Sequence, residues 1–334
     1  MATLTSSNPT LLDLAKVTDP DGAIAQVVQM LSQQNEILED MTWQEGNLPT
    51  GHTYSLQTAI PTPTWRKFYG LVGFSKSTNT QATANCGMME MYSNVDKALA
   101  DLNGNTEAFR LVESMAALEG FNQEHARALF YANEATNPEQ ITGFAPLFNT
   151  INPATSANAE NVISAGSVTG GDGRSIWLIG WSPNTVFGVV PKGSKAGIQI
   201  TNKGQVTIQQ TGGQYEAYQS HYRWDTGLCI KDWRYVVRGC NIDYSALLSD
   251  AASGGPNLPD LMFQMLNQLK STSGVRPAFY MSRGVLTKLR QQVANGSKNS
   301  TLEDTNVGGK MITSFQGIPI RRVDQLAVNE ATIS

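Results

Sequence analysis

One long stretch of helically spaced apolar residues constrains this chain more than any other feature. It opens at Asn105-Thr106-Glu107, where a polar side chain can cap a helix, and it continues to about Asn133. A helix of about 27 residues is roughly 40 Å long, about twice the usual three to four turns. The sequence therefore predicts a spine helix over 106–133 that forms the backbone of a flat molecule. Its apolar positions are Phe109, Leu111, Val112, Met115, Leu118, Phe121 and Leu129.

Residues 43–95, before this helix, are rich in Gly, Pro and Thr with isolated aromatic residues. An apolar and polar alternation around Tyr54–Ile60 favours a strand, and the prolines that follow confine it to an edge or a turn. The pattern predicts a long two-stranded excursion, which must lie on something else because an isolated hairpin is marginal in water. Trp65, Arg66 and Phe68 have too few apolar neighbours for a local core, so we predict that they contact another subunit.

The N-terminal segment is predicted to form a short amphipathic helix to about Leu38, capped by the aspartates of Thr18–Gly22. The aspartates resemble part of a calcium loop, but the stretch is too short and lacks the closing Glu. The apolar stripe of the helix has no partner nearby in the sequence. It is therefore expected to dock on the body or on a neighbouring subunit. Its predicted contact residues are Ile24, Val27, Val28 and Leu31.

The rest of the chain is predicted to form mixed α and β structure. An Asn, Ser and Gly-rich connection covers 149–173, and a buried strand follows over 176–181. Two long strands, 214–224 and 227–243, are predicted to form a hairpin closed at Asp225-Thr226-Gly227. The last third is predicted as a helix over 259–270, a strand over 278–281, a helix over 283–294 and a strand over 317–323.

Composition and charge exclude several classes of function. A formal charge of -4 disfavours tight nucleic-acid binding, which depends on clustered Lys and Arg. Three cysteines without CxxC spacing indicate neither a disulfide framework nor a zinc site. No apolar run is long enough for a membrane span, and residues 1–10 do not resemble a signal peptide. Charged residues make up only 16% of the chain, and a neutral polar surface is easier for a neighbouring subunit to cover.

The sequence carries no catalytic, cofactor or metal signature, and we predict none of these sites. HExxH, G-x-S-x-G and P-loop patterns are absent, and His52, His125 and His221 are read as core or surface residues. Gly170–Gly173 precedes a strand rather than a helix, so it is read as a flexible loop. Three lysines are predicted to be solvated, and at least half of six aromatic residues to pack on the spine helix rather than form a stacking platform. These residues are Lys192, Lys195 and Lys203, and Tyr215, Tyr218, Tyr222, Trp224, Trp233 and Tyr235.

Several strings in register resemble one known family over about residues 8–326. The chain is similar to major capsid proteins of tailed bacteriophages with the Hong Kong 97-type fold, specifically the head proteins of short-tailed phages related to epsilon 15 and the Bordetella phage. The strings that carry the resemblance are Asn8–Ala15, Thr18–Gly22, Glu45–His52, Ala100–Asn105, Pro191–Gly197 and Asp232–Arg238.

This resemblance implies an α+β Hong Kong 97-type fold with four parts. They are an N-terminal arm (1–42), an extended loop (43–95), a peripheral domain of spine helix and β-ribbon (96–148 and 205–245), and an axial domain (149–204 and 246–334). It also implies that the subunit forms hexamers and pentamers of an icosahedral head around double-stranded DNA. The implied partners are a scaffolding protein and a portal protein, with a cement or decoration protein left open. Assembly is expected in the bacterial host cytoplasm, and the protein ends up in the virion.

Two alternatives remain at this stage. The same fold also builds cellular encapsulin-type compartments, although the phage-like strings favour the virus. A soluble enzyme or glycan-binding β-rich protein would belong to another class. The long predicted helix and the missing acid and base residues count against it.

Overall fold

The computed structural model of the protein describes residues 33–101, 106–168, 171–210, 213–247, 255–295, 302–307 and 310–334. The predicted arm contacts Ile24, Val27, Val28 and Leu31 lie outside these ranges, and so does the predicted cap at Thr18–Gly22. Long strands and one long helix share the described chain, so the predicted α+β class is confirmed.

The described part of the chain contains six helices and thirteen strands. The helices are α1 (Ile37–Asp40), α2 (Lys97–Ala100), α3 (Thr106–Tyr131), α4 (Phe144–Leu147), α5 (Leu258–Gln268) and α6 (Arg283–Asn295). The first seven strands are β1 (Trp43–Glu45), β2 (Gly51–Ala59), β3 (Thr78–Asp96), β4 (Val162–Ser164), β5 (Gly173–Trp181), β6 (Val186–Val190) and β7 (Gln199–Gln210). The others are β8 (Gly213–Ile230), β9 (Val236–Asp243), β10 (Arg276–Met281), β11 (Leu302–Val307), β12 (Lys310–Phe315) and β13 (Ile318–Arg322).

Helix α3 is the predicted spine helix, and it ends two residues before the predicted end. It ends at Tyr131 because the next residues form a turn, in which the carbonyl of Asn133 accepts two backbone hydrogen bonds. Leu129 and Phe130, in its last turn, are completely buried. Leu111 and Met115, nearer its start, are more than half exposed. The spine helix is therefore anchored in the core at its C-terminal end and leaves an apolar stripe uncovered nearer its start.

The core lies on both faces of a large branched sheet, with β5 near its centre. Side chains alternate across this strand, so Ile176 and Leu178 face one cluster while Trp177 and Ile179 face another. The first cluster packs on α5 and α6, and the second contains the end of the spine helix and α4. Because both faces are covered, the strand is apolar almost throughout, as the sequence predicts for 176–181.

The predicted hairpin at Asp225-Thr226-Gly227 is wrong. These residues lie inside the uninterrupted strand β8, where they pair with Met88, Gly87 and Cys86 of β3. The Asp-Thr-Gly sequence has the composition of a turn, but Asp225 accepts a 2.9 Å hydrogen bond from Arg223 and all three residues have strand partners. Long-range pairing therefore overrides the local turn preference. β9, the predicted second strand of the hairpin, pairs instead with β5 and β4.

The predicted two-stranded excursion is present as β2 and β3, which pair antiparallel from Gly51 and Asn85 to Ala59 and Thr78. β3 then continues into a three-stranded ribbon with β8 and β7. The inner face of the ribbon packs on the spine helix, where Tyr222 and Trp224 lie against Phe121. Two of the six aromatic residues of this region, Tyr222 and Trp224, are thus core residues, fewer than the half that the sequence predicts; the other four are only partly buried.

Two local predictions need correction. The predicted helix to about Leu38 does not cover Gln33–Glu36, because Asn35 forms a bridge with Val323 and helical turns begin only at Ile37. The carboxylate of Asp40 then accepts two 3.0 Å hydrogen bonds from Arg321, which hold α1 against the C-terminal strand. The predicted connection over 149–173 contains a 3-10 turn at Ala157–Asn161 and the short strand β4. β4 forms because it can pair in parallel with β9.

Candidate assembly surfaces

The end of the extended loop, residues 60–77, exposes an unusual number of large apolar side chains. Trp65, Phe68 and Phe74 have relative exposures of 101%, 95% and 109%. We call residues 60–77 the loop tip. Monomeric proteins rarely display contiguous apolar surface on this scale, and such patches mark interaction sites. Its other exposed apolar residues are Ile60, Tyr69, Leu71 and Val72.

A tight turn holds the centre of the loop tip. The N–H of Gly70 donates a 3.1 Å hydrogen bond to the carbonyl of Lys67, and Tyr69 between them has a positive φ of 60°. This left-handed conformation is uncommon for an aromatic residue. The hydroxyl of Ser75 also donates a 3.2 Å hydrogen bond to the carbonyl of Thr62, which joins the two sides of the tip. The aromatic residues are therefore presented from a defined backbone.

Residues 46–89 of the extended loop carry only cationic charges at neutral pH. Between Glu45 and Glu90 the chain contains Arg66, Lys67 and Lys76 but no Asp or Glu. Arg66 and Lys67 are exposed and directly adjoin Trp65 and Phe68. Aromatic residues and arginine are the residue types that most often dominate binding energy at protein interfaces. The predicted contacts Trp65, Arg66 and Phe68 thus lie together on one exposed surface.

Two clefts lie where the extended loop meets the body, and both are lined by β3 and by residues 134–148. We call them the acidic clefts. The larger, of about 280 Å³, contains Glu134 beside apolar side chains that include Leu56, Leu147 and Trp233. The smaller, of about 170 Å³, contains Glu124 and Glu139.

Close packing fixes the position of these glutamates. Glu134 accepts hydrogen bonds from Asn85 of β3 at 2.5 Å and from Thr142 at 3.4 Å. The carbonyl of Glu139 would lie only 3.0 Å from a Cβ atom added at Gly87, so a glycine there lets the segment approach the strand. From Ala128 to Gly173 the chain has four acidic residues and no Lys or Arg. Residues 46–89 of the extended loop and this segment are thus opposite in charge.

A third surface is the uncovered stripe of the spine helix, around Leu111 and Met115. The first described residue, Gln33, lies beside it. Its N–H donates a 2.8 Å hydrogen bond to Glu119, and its carbonyl accepts one of 3.4 Å from Asn122. The N-terminal segment therefore joins the described chain next to an apolar surface.

A further cleft of about 470 Å³ lies on the other side of the loop base. Its charged lining residues are Lys192, Arg223 and Asp225, so its charge is mixed. On the outer face of the ribbon, Lys203 lies 4.9 Å from the ring centroid of Tyr92, which stacks on His221 with centroids 4.4 Å apart. Lys203, one of the three lysines read as solvated, therefore contacts an aromatic ring of the ribbon.

Several titratable side chains of the body are buried in its packed interior. His125 is completely buried, and burial lowers its pKa to about 3. The thiols of Cys86, Cys229 and Cys240 are not paired in disulfides, and burial raises the pKa of Cys86 to about 11. Within the described ranges, no cluster of three or more His, Cys, Asp or Glu side chains could hold a metal ion. In the same ranges, no helix is both long and apolar enough to cross a membrane.

Comparison with known families identifies the kind of protein that carries these surfaces. A family model described as "Major capsid protein GP7" matches residues 19–334. The chain belongs to this family. It is a major capsid protein of an icosahedral phage shell, and the family match favours that function over the encapsulin and glycan-binding alternatives.

Solved structures agree with the family. A chain in the near-atomic-resolution structure of bacteriophage epsilon15 is 30% identical, with a TM-score of 0.80, and the alignment covers 100% of this chain and 99% of that chain. A chain of the bacteriophage JBD30 capsid has the same fold at 11% identity, with a TM-score of 0.52 and coverage of 90% and 93%. No curated protein matches. The predicted Hong Kong 97-type capsid fold is confirmed.

Reasoning from the sequence found only part of the loop surface. It named Trp65, Arg66 and Phe68 but not Tyr69, Leu71 or Phe74, which are equally exposed. It also missed the acidic clefts, because their residues come from β2, β3, β8, the spine helix, the 134–148 segment and two further residues, Asn158 and Trp233. One signal was available: a stretch without acidic residues at 46–89 and one without basic residues at 128–173.

Proposed function

We propose that this major capsid protein builds its shell through projecting surfaces that each cover a neighbouring subunit. Trp65, Arg66 and Phe68 of the loop tip are the central intersubunit contacts. The observation that carries this proposal is the almost complete exposure of Trp65 and Phe68 on a cationic loop. Identical head-to-tail contacts of this kind generate closed rings when the rotation between subunits allows it. Many such contacts also add avidity that no single contact has.

The arm is the second proposed contact. Ile24, Val27, Val28 and Leu31 form an apolar stripe in sequence, and the arm enters the described chain beside the exposed Leu111 and Met115 of the spine helix. The apolar pattern of the arm sequence and the exposed Leu111 of the spine helix support pairing of these two segments, and we propose that this contact joins two subunits.

These contacts suggest how the chain is divided into functional parts. We propose four parts: an arm (1–42), an extended loop (43–95), a peripheral domain (96–148 and 205–245) and an axial domain (149–204 and 246–334). Copies form hexamers and pentamers around double-stranded DNA, with a scaffolding protein and a portal protein as partners; a cement or decoration protein is left open. Assembly takes place in the host cytoplasm. The subunit acts through its surfaces and performs no catalysis.

Alanine substitution of the loop tip tests the proposal. We expect Trp65→Ala together with Phe68→Ala to lower the yield of shells severely, because truncation of buried interface anchors typically costs 2 kcal/mol or more. The folded subunit should keep its circular dichroism spectrum and its melting temperature, since both side chains are exposed in it. Electron microscopy and sedimentation measure the shells. Normal shells from this variant would contradict the proposed role of the loop, and Phe121→Ala serves as the control that damages folding itself.

A further inference from the structure

The loop tip cannot use the clefts of its own subunit. β2 extends for nine residues, and at about 3.3 Å per residue its two ends lie roughly 26 Å apart. The larger acidic cleft is lined by Tyr54 and Leu56 of this strand, whereas the loop tip begins beyond the far end of the strand, at Ile60. The exposure of Trp65, Phe68 and Phe74 shows that the tip does not fold back onto the body. Any protein surface that covers the tip therefore belongs to another molecule.

The charge of each cleft around the loop base indicates which cleft can accept the loop tip. Arg66 and Lys67 would meet like charges from Lys192 and Arg223 in the cleft of about 470 Å³. The acidic clefts have glutamates and, among their described lining residues, no Lys or Arg. Like charges brought together at an interface cost free energy, whereas complementary charges select the partner and its orientation.

The larger acidic cleft also has room and apolar lining for an aromatic side chain. Its volume of about 280 Å³ is several times the roughly 30 Å³ of one water molecule. Leu147 is 38% exposed at this cleft, and Leu56 and Trp233 are only partly buried. Aromatic anchors in well-packed apolar pockets commonly dominate the centre of an interface, and charged pairs lie toward its polar rim.

We propose that the loop tip of one subunit docks into the acidic clefts of a second copy. Trp65 or Phe68 fills the larger cleft, and Arg66 and Lys67 pair with Glu134 and Glu139. The inference rests on the proposed function of the loop and adds its acceptor. Donor and acceptor are different surfaces of the same chain, so each subunit presents the tip to one neighbour and the clefts to another. The contact is heterologous and can continue around a ring.

Charge reversal on both sides tests the pairing. We expect Arg66→Glu with Lys67→Glu, and separately Glu134→Lys with Glu139→Lys, to lower shell yield by roughly tenfold or more, because each contact recurs at every subunit. Combining the four substitutions should restore most of the yield. The matched control combines the loop reversal with Glu107→Lys and Glu160→Lys, two exposed acidic residues outside the clefts, which should restore nothing.

Folding needs its own check, because Glu134 bonds with Asn85 and Thr142 in the subunit. The single swap of Lys67→Glu with Glu139→Lys uses an exposed carboxylate and gives the same comparison. Carbodiimide treatment of wild-type shells, followed by mass spectrometry, should join the peptide containing Lys67 to one containing Glu134 or Glu139. Lys67 joined only to other acidic peptides would overturn the proposal.

The outcomes separate this inference from the proposed function. If the loop variants block assembly and the combined variants do no better, the loop remains a contact but its acceptor is not the acidic clefts. If the control variants rescue as well as the cleft variants, only net charge matters and the inference is wrong. If Trp65→Ala with Phe68→Ala assembles normally, the proposed function of the loop fails first.

Discussion

His125 of the spine helix faces β8 inside the protein, in surroundings that disfavour a charged imidazolium. Its ring stacks on Trp224 with centroids 4.1 Å apart, and its Nε2 lies 2.8 Å from the hydroxyl oxygen of Thr226. Burial lowers its pKa from 6.5 to about 3. The spacing of the spine helix places His125 on the apolar side. Its stacking partner comes from a strand about 100 residues later, so the sequence alone does not reveal the stack.

The low pKa of His125 predicts that subunit stability falls in mild acid. The unfolded chain binds a proton near pH 6.5, whereas the folded subunit resists protonation until about pH 3. This stability is fully present above pH 6.5 and is lost as the pH falls toward 3, by up to about 1.4 kcal/mol per pH unit. We expect the urea midpoint of the unassembled subunit to fall between pH 7 and pH 5, and to fall less steeply in His125→Gln. His221→Gln, at a more exposed histidine, is the control; equal slopes in wild type and His125→Gln would assign the effect to other groups.

At the scale of elements, sequence periodicity predicted helices and strands whose own residue pattern is sufficient. It failed where pairing with a distant strand determines the structure. The spine helix and the strand at 176–181 carry their own patterns; the helix ends two residues before its predicted end, and the strand begins three residues before its predicted start. β8 was divided wrongly because Asp225-Thr226-Gly227 has turn composition, while its partners Cys86–Met88 lie about 140 residues earlier. Pairing over that distance leaves no periodic signal in the sequence.

A glycine substitution tests whether these residues are strand or turn. A Cβ added at Gly227 would lie 2.8 Å from the sulfur of Cys86 and 3.0 Å from the carbonyl of Asn85. We expect Gly227→Ala to lower the free energy of unfolding by roughly 1–3 kcal/mol through overpacking. Gly213→Ala, in the same strand with open space around its Cα, should change it by less than about 0.5 kcal/mol. Urea unfolding measures both; a harmless Gly227→Ala would argue against this close strand contact.

At the scale of the whole molecule, the resemblance identified the family and the fold, and composition pointed to a surface meant for partners. The clefts could not be predicted in the same way, because they exist only after β2, β3, β8, the spine helix and the 134–148 segment come together. The loop tip is the opposite case, because the sequence alone indicates its residues. Its residues were recognised because Trp65, Arg66 and Phe68 find no local core, and the folded subunit still leaves them uncovered. The loop side of the proposed intersubunit contact is thus predictable from one sequence, whereas its proposed acceptor requires the fold.

Proteolysis should report whether the shell covers the loop tip. Arg66 and Lys67 are exposed, lie outside any strand or helix and are substrates for trypsin. We expect trypsin to cut the unassembled subunit first at these residues, and to cut assembled shells there at least roughly tenfold more slowly, because a neighbour then covers the tip. Replacing Arg66, Lys67 and Lys76 by Gln should remove the early cleavage and show that no other site is cut as fast. Cleavage at the same rate in shells and in subunits would mean that the loop tip remains uncovered after assembly, and its aromatic residues would then need a different role.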